Sequence, residues 1–166
     1  MSAAAKSCFP PLVDQHTRLL ILGSLPGDAS LQAAQYYAHP RNQFWRLLGE
    51  VLQQELTTLD YAARLTALQA HGVGLWDVVA QAQRKGSLDS AIRDASPNDL
   101  ATLCARLPAL RAIAFNGASA AAIGRKQLGA LLANLTLFDL PSSSPAYTLN
   151  YAAKLAQWLP VASCLR

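Results

Sequence analysis

The stretch Leu19-Leu20-Ile21-Leu22-Gly23-Ser24-Leu25-Pro26-Gly27-Asp28 decides the fold. Residues 17–22 form an apolar run that reads as a buried strand, and a turn built from glycine and proline follows it at once. Open α/β sheets bind their ligands beyond the carboxyl ends of the strands. The turn therefore marks the expected site. Just downstream, Gln35-Tyr36-Tyr37-Ala38-His39-Pro40-Arg41-Asn42-Gln43-Phe44-Trp45 brings two tyrosines and an uncharged amide into the same segment.

Outward from this segment, strands and helices alternate. Residues 44–52 have helical apolar spacing, and residues 59–70 continue as a second helix that stops at His71-Gly72. Val73-Gly74-Leu75-Trp76-Asp77-Val78 reads as a second strand. Ser96-Pro97-Asn98-Asp99 reads as a helix start, with serine or asparagine as the cap, leading a helix to Arg106. Residues 110–115 form a third strand ended by Asn116-Gly117, residues 118–128 a helix, and residues 135–140 a fourth strand. Pro141-Ser142-Ser143-Ser144-Pro145 follows, then a last helix over 146–159. Strands separated by helices imply a three-layer α/β/α sandwich around a mostly parallel four-stranded sheet.

At 166 residues and 52% hydrophobic, the chain suits one domain over 1–166 with a full core, its first part an amino-terminal arm over 1–16. The longest apolar runs fall short of the roughly 20 residues a membrane helix needs, since 128–140 is interrupted by Asn134 and Thr136. The amino terminus has no apolar core of signal-peptide length before Pro10-Pro11. No membrane partner is expected, and the cytoplasm is the expected location. Cys8, Cys104 and Cys164 are odd in number and far apart, which argues against a disulfide framework and against zinc or iron–sulfur ligation. No metal or organic cofactor is expected. The formal charge of +4 is compatible with a polyanionic partner without requiring one.

In a parallel sheet the strand ends carry four loops to one edge: 23–42, the segment from Asp77 onward, Asn116-Gly117, and 141–145. Each brings small or polar residues, which describes a pocket, although glycine and serine after strands are also ordinary turn chemistry. The glycine-proline turn, His39-Pro40-Arg41-Asn42-Gln43-Phe44-Trp45, the strand end Leu75-Trp76-Asp77, and Leu140-Pro141-Ser142-Ser143-Ser144-Pro145-Ala146 together resemble the uracil-DNA glycosylase superfamily, in that order. Within it the chain is most similar to the hypoxanthine-DNA (deoxyinosine) glycosylase branch. The resemblance spans roughly residues 19–153 and implies the superfamily's fold.

The resemblance also implies roles. Classical uracil glycosylases carry an aspartate, and mismatch-specific ones an asparagine, where this chain has Leu25. The usual water-activating residue is absent, and similarity to the hypoxanthine branch implies that Asn42 takes over as the catalytic residue. An amide oxygen can accept a hydrogen bond from water and aim it, but cannot take up the proton. The alternative for Asn42 is a helix cap before Phe44. Tyr37 aligns with the aromatic that stacks on the extruded base, a contact worth roughly 1 to 3 kcal/mol; Tyr36 competes for that role, and both could instead pack the loop. Asp77 stands where uracil glycosylases read the base edge with an asparagine. A carboxylate there accepts but cannot donate, so it favours a base presenting a ring N–H, as hypoxanthine and uracil do, over the bare N1 of adenine. The alternatives are a direct catalytic carboxylate or a structural partner for arginine or loop amides.

Gly23, Ser24 and Leu25 are the expected pocket lining. Gly27, His39, Asn116, Ser142, Ser143, Ser144 and Pro145 are the expected contacts to DNA, His39 alternatively bracing its own turn. The serine loop resembles the segment that presses into the minor groove, but the bulky wedge of some relatives is replaced by serine here. No lysine lies in these motifs, so no Schiff-base lyase step is expected. The resemblance implies a monomeric, monofunctional glycosylase that attacks the sugar C1′ of a deaminated nucleotide in double- or single-stranded DNA with water. Its alternatives are a uracil or mismatch-specific glycosylase, or a fold of this type that only binds damaged DNA or a nucleotide.

Overall fold

Four strands carry the architecture: β2 (Leu19–Gly23), β3 (Val73–Asp77), β6 (Ala112–Asn116) and β7 (Thr136–Leu140). In the computed structural model, which describes residues 5–84, 89 and 92–166, they form one parallel sheet in the order β3-β2-β6-β7. Successive side chains of a strand point to opposite faces. Leu19 and Ile21 accordingly join a cluster with Leu75, Phe44, Leu47, Leu48, Leu68 and Trp158, while Leu20 and Leu22 join Ile113, Phe115, Leu100 and Leu103 on the other side. Helices α2 (Phe44–Leu52), α3 (Tyr61–Ala70) and α6 (Tyr151–Trp158) supply the first cluster. Helices α4 (Leu100–Ala105) and α5 (Ala118–Leu128) supply the second. The three-layer sandwich is thus the one expected, with α5 seated so close to β6 that a Cβ on Gly124 would enter the ring of Phe115.

Several elements depart from expectation. A second sheet, antiparallel and ordered β1-β4-β5, is formed by β1 (Ala5–Ser7), β4 (Val79–Arg84) and β5 (Ile92–Pro97). The arm is therefore not loose from Ala5 onward: β1 pairs with β4, Cys8 N–H donates to Ala80 O, and Leu12 bridges to Leu75. The first four residues of the expected arm lie outside the described residues. A short helix, α1 (Asp28–Ala33), interrupts the first loop. Pro97 ends β5, and Asp99, not Ser96 or Asn98, caps α4 by accepting from Thr102 N–H at 3.1 Å. The second helix begins at Tyr61, capped by Asp60, and the last at Tyr151, where Asn150 accepts the N–H of Ala153; residues 146–150 extend the serine loop. Among the described residues no helix is long and apolar enough to cross a membrane.

Candidate active site

Parallel strands deliver their carboxyl ends to one edge, and there β2 ends in Gly23, β3 in Asp77, β6 in Asn116 and β7 in Leu140. Gly23, Asp77 and Asn116 line a cleft of about 500 Å³ together with Ser24, Leu25, Pro26, Gly27, Tyr37, His39, Asn42, Asp89, Ser142, Ser143, Ser144, Pro145 and Tyr147. The expected catalytic, base-binding and DNA-contacting residues all line this one cleft.

Its floor is Gly23, which pairs in register with Asp77. A Cβ on Gly23 would lie 2.7 Å from Asp77 Oδ1 and 3.0 Å from the Tyr37 hydroxyl. Glycine is required here so that a carboxylate and a phenol can share the space above the backbone. Asp77 is 4% exposed, and neither its Oδ2 nor the Tyr37 hydroxyl has a hydrogen-bond partner among the described residues. Burial raises the Asp77 pKa from the ordinary 3.8 to about 7, with Arg84 opposing the rise and Asp89 adding to it. A buried oxygen without a donor costs free energy until a ligand supplies one.

Tyr37 adopts φ 54°, left-handed backbone that a bulky residue rarely takes. Its ring is held flat on Phe44 at 3.8 Å between centroids and 16° between planes. Burial, and next the charge of Asp77, raise its pKa. Tyr36 is part of the core: it is 4% exposed, its hydroxyl donates to Pro10 O, its N–H donates to the Tyr61 hydroxyl, and its ring meets Phe9 edge-on. Asn42 is half-buried, and its Oδ1 accepts Phe44 N–H at 3.0 Å. The contact is an i to i+2 turn one position ahead of the N-cap Gln43, which makes no side-chain cap bond of its own; Asn42 also lines the cleft, and a carbonyl oxygen has a second lone pair for water. His39 braces the same turn, since its Nδ1 accepts Arg41 N–H and its carbonyl accepts Asn42 N–H.

The opposite wall is a locked loop. Asn116 Nδ2 donates to Ser143 Oγ and Asn116 Oδ1 accepts Ser143 N–H, both at 2.9 Å, with both residues buried. Gly117 sits at φ 103°, where a Cβ would crowd Ser142. Trp158 Nε1 donates to Pro141 O, and the buried Lys154 donates to Ser144 O and lies over the Tyr147 ring. Ser143 and Asn116 thus spend their polar groups on each other, while Ser142, Ser144 and the half-exposed Tyr147 border the opening.

One cleft residue, Asp89, and a buried cation behind the cleft wall, Arg84, were not anticipated from sequence. Arg84, 1% exposed, reaches from β4 to donate to Leu25 O at 3.2 Å and to Pro26 O, and it pairs with Asp89 at 3.4 Å. Asp89 also accepts from Ser24 Oγ at 2.6 Å. Their segment is polar and lacks strand periodicity, so the only available signal was a second acidic residue shortly after Asp77. Among the described residues no group of three or more His, Cys, Asp or Glu is placed to hold a metal.

The model of the Uracil DNA glycosylase superfamily matches residues 10–162. The chain belongs to the uracil DNA glycosylase superfamily. It is 46% identical over 112 residues to a hypoxanthine DNA glycosylase of Methanosarcina barkeri, covering 68% of this chain and 71% of that one. It is 44% identical over 115 residues to a hypoxanthine DNA glycosylase of Methanosarcina acetivorans, covering 69% and 73%. The solution NMR structure of a Methanosarcina acetivorans protein described as a uracil DNA glycosylase superposes with a TM-score of 0.83 at 38% identity, covering 98% of this chain and 99% of that one.

Proposed function

We propose that the protein is a monofunctional, monomeric DNA glycosylase of the cytoplasm that excises hypoxanthine from deaminated DNA. The observation that carries the reading is the buried Asp77 carboxyl at the cleft floor, whose Oδ2 lacks a donor among the described residues. Hypoxanthine presents a ring N–H beside a carbonyl, whereas adenine presents a bare ring nitrogen that a carboxylate repels. The ionised carboxylate accepts this N–H in a charge-assisted bond. Burial that pushes the carboxyl up to about 7 keeps the reader partly protonated near neutral pH, and it gains charge as pH rises. The names of the two curated relatives support the same substrate.

Asn42 aims water at C1′ from the wall facing the base. The C1′–N9 bond breaks with its electron pair leaving on the base, water oxygen bonds to C1′, the proton that this water loses ends on the departing base, which leaves as neutral hypoxanthine, and an abasic sugar remains. With Asp77 engaged on the base edge, Asp89 is the cleft carboxylate left to an oxocarbenium-like sugar. Leu25, buried at 6% exposure, offers no polar group to water, so the burden on Asn42 is undivided. The same residue favours the second reading, a non-catalytic binder of damaged DNA.

Single-turnover cleavage of an inosine duplex separates the two. Asn42→Ala should be slower by about two orders of magnitude or more, the low end for a positioned group, while abasic-site binding persists. Asn42→Asp keeps an acceptor for Phe44 N–H and controls for the lost turn contact. If Asn42→Ala cleaves within a few-fold of wild type, Asn42 has no part in the chemistry; if wild type only binds, the binding module is correct.

A further inference from the structure

A buried donor stands beside the Asp77 carboxyl without bonding to it. The point above the Gly23 backbone where a Cβ would sit is 2.7 Å from Asp77 Oδ1 and 3.0 Å from the Tyr37 hydroxyl. The hydroxyl nevertheless has no hydrogen-bond partner among the described residues, nor has Asp77 Oδ2. Asn116, which borders the phenol, commits its Oδ1 and one Nδ2 hydrogen to Ser143, both at 2.9 Å. An unpaired buried hydroxyl is destabilising, and phenylalanine would fill the same place without that penalty. The backbone is held against its preference as well. Tyr37 keeps its left-handed φ of 54° while its neighbours are pinned on both sides, Tyr36 N–H by the Tyr61 hydroxyl at 3.0 Å and Ala38 N–H by Ser30 Oγ at 3.1 Å. With Phe44 stacked on one ring face, the fold fixes in the cleft lining a donor that has no acceptor among the described residues.

We propose that the Tyr37 hydroxyl is a catalytic hydrogen-bond donor to the carbonyl oxygen of the flipped base, acting beside Asp77, which accepts the adjoining ring N–H. This deepens the reading of Asp77 as the base reader and rests on it. Hypoxanthine carries its carbonyl and ring N–H on neighbouring atoms, and their complement is a donor and an acceptor that are neighbours without being bonded to each other. Gly23 leaves the room in which both can face that edge. As the C1′–N9 bond breaks, its electron pair enters the purine and part of the charge collects on the carbonyl oxygen, so the bond from Tyr37 strengthens toward the transition state. Burial, and next the charge of Asp77, keep the phenol protonated, so it donates a hydrogen bond without transferring the proton. The proton lost by the attacking water still ends on the departing base. Tyr37 meets the base with its hydroxyl edge, a contact that stacking alone would not use.

The test is Tyr37→Phe, which keeps the ring on Phe44 and removes one oxygen. Four quantities are measured in wild type and variant: single-turnover cleavage of an inosine duplex, affinity for a duplex containing 2′-fluoro-2′-deoxyinosine, whose fluorine opposes bond cleavage, affinity for an abasic duplex, and Tm. Inosine cleavage should fall about tenfold to a hundredfold, up to the low end for loss of an oxyanion-hole donor. The fluoro-inosine duplex should bind about threefold to tenfold more weakly, the range of one neutral hydrogen bond. Abasic affinity should be unchanged, and Tm should equal or exceed that of wild type because no bond within the protein is lost. Stacking or packing alone predicts that both inosine readouts stay within about twofold of wild type, less than a typical hydrogen bond, and that result overturns the proposal. A lower Tm or failure to fold overturns it too, since the hydroxyl would then serve the fold. If wild type leaves inosine intact, the glycosylase reading falls, and the fluoro-inosine affinity alone decides whether the hydroxyl meets the base.

Discussion

Asp77→Asn should make the protein more stable and less active, with the stability gain growing as pH rises. The folded-state carboxyl titrates at about 7 and the ordinary carboxyl at 3.8. The native state therefore holds its proton more tightly than the unfolded chain, and stability falls as pH climbs between the two values. The full penalty of keeping Asp77 ionised in the fold, above pH 7, is at most about 4 kcal/mol at roughly 1.4 kcal/mol per unit. Between pH 5 and pH 8 the wild type should lose about 2 to 3 kcal/mol that the amide variant keeps. For a chain of this size that is a difference of about 5 to 10 °C in the Tm gain at the two pH values. Differential scanning calorimetry of both proteins at pH 5 and 8 measures it. In activity, the variant can still accept the ring N–H of hypoxanthine only by turning its oxygen inward, so inosine cleavage should fall. Its amide can instead donate to adenine N1, narrowing a preference that such contacts make about 1 to 3 kcal/mol wide. A Tm gain equal at both pH values would show that the carboxyl is not held protonated by burial. Unchanged inosine cleavage with unchanged base preference would return Asp77 to a structural role.

Two further consequences follow from the cleft's shape and charge. Gly23→Ala places a methyl 2.7 Å from Asp77 Oδ1, so it should cost about 1 to 3 kcal/mol in thermal or urea unfolding and reduce inosine cleavage more than tenfold; wild-type cleavage would mean the floor is not where the base sits. On the proposed role of Ser142 and Ser144 at the cleft mouth, and with a net charge of +4, abasic-duplex binding measured by anisotropy should weaken steeply between about 50 and 200 mM salt, in keeping with the roughly linear log–log dependence of phosphate contacts; an affinity flat over that range would contradict a DNA ligand.

The central sheet was legible because buried parallel strands are short apolar runs closed by glycine, asparagine or proline, and residues 17–22 and 110–115 have that form. Gly23, Asp77, Asn116 and the serine loop meet in one cleft because parallel topology takes every strand end to the same edge. The antiparallel sheet was not legible: β4 reads Val-Ala-Gln-Ala-Gln-Arg, polar and without clean alternation, and its two register shifts blur the period. With it went Arg84 and Asp89, whose roles depend on contacts to residues about sixty positions earlier. Asn42 illustrates a different limit. Capping and water positioning use the same amide oxygen, so residue type alone leaves both open, and the structure puts that oxygen on Phe44 N–H one position ahead of the N-cap Gln43, with Asn42 lining the cleft.

The most direct test is excision itself. Duplexes with a single inosine, uracil, xanthine or adenine are incubated with excess purified protein, treated with alkali and resolved for strand breaks. The account predicts breaks at inosine, faster than at uracil, none at adenine, and none anywhere before alkali, since no lyase step occurs. Intact inosine strands under conditions where the protein binds the duplex would contradict it.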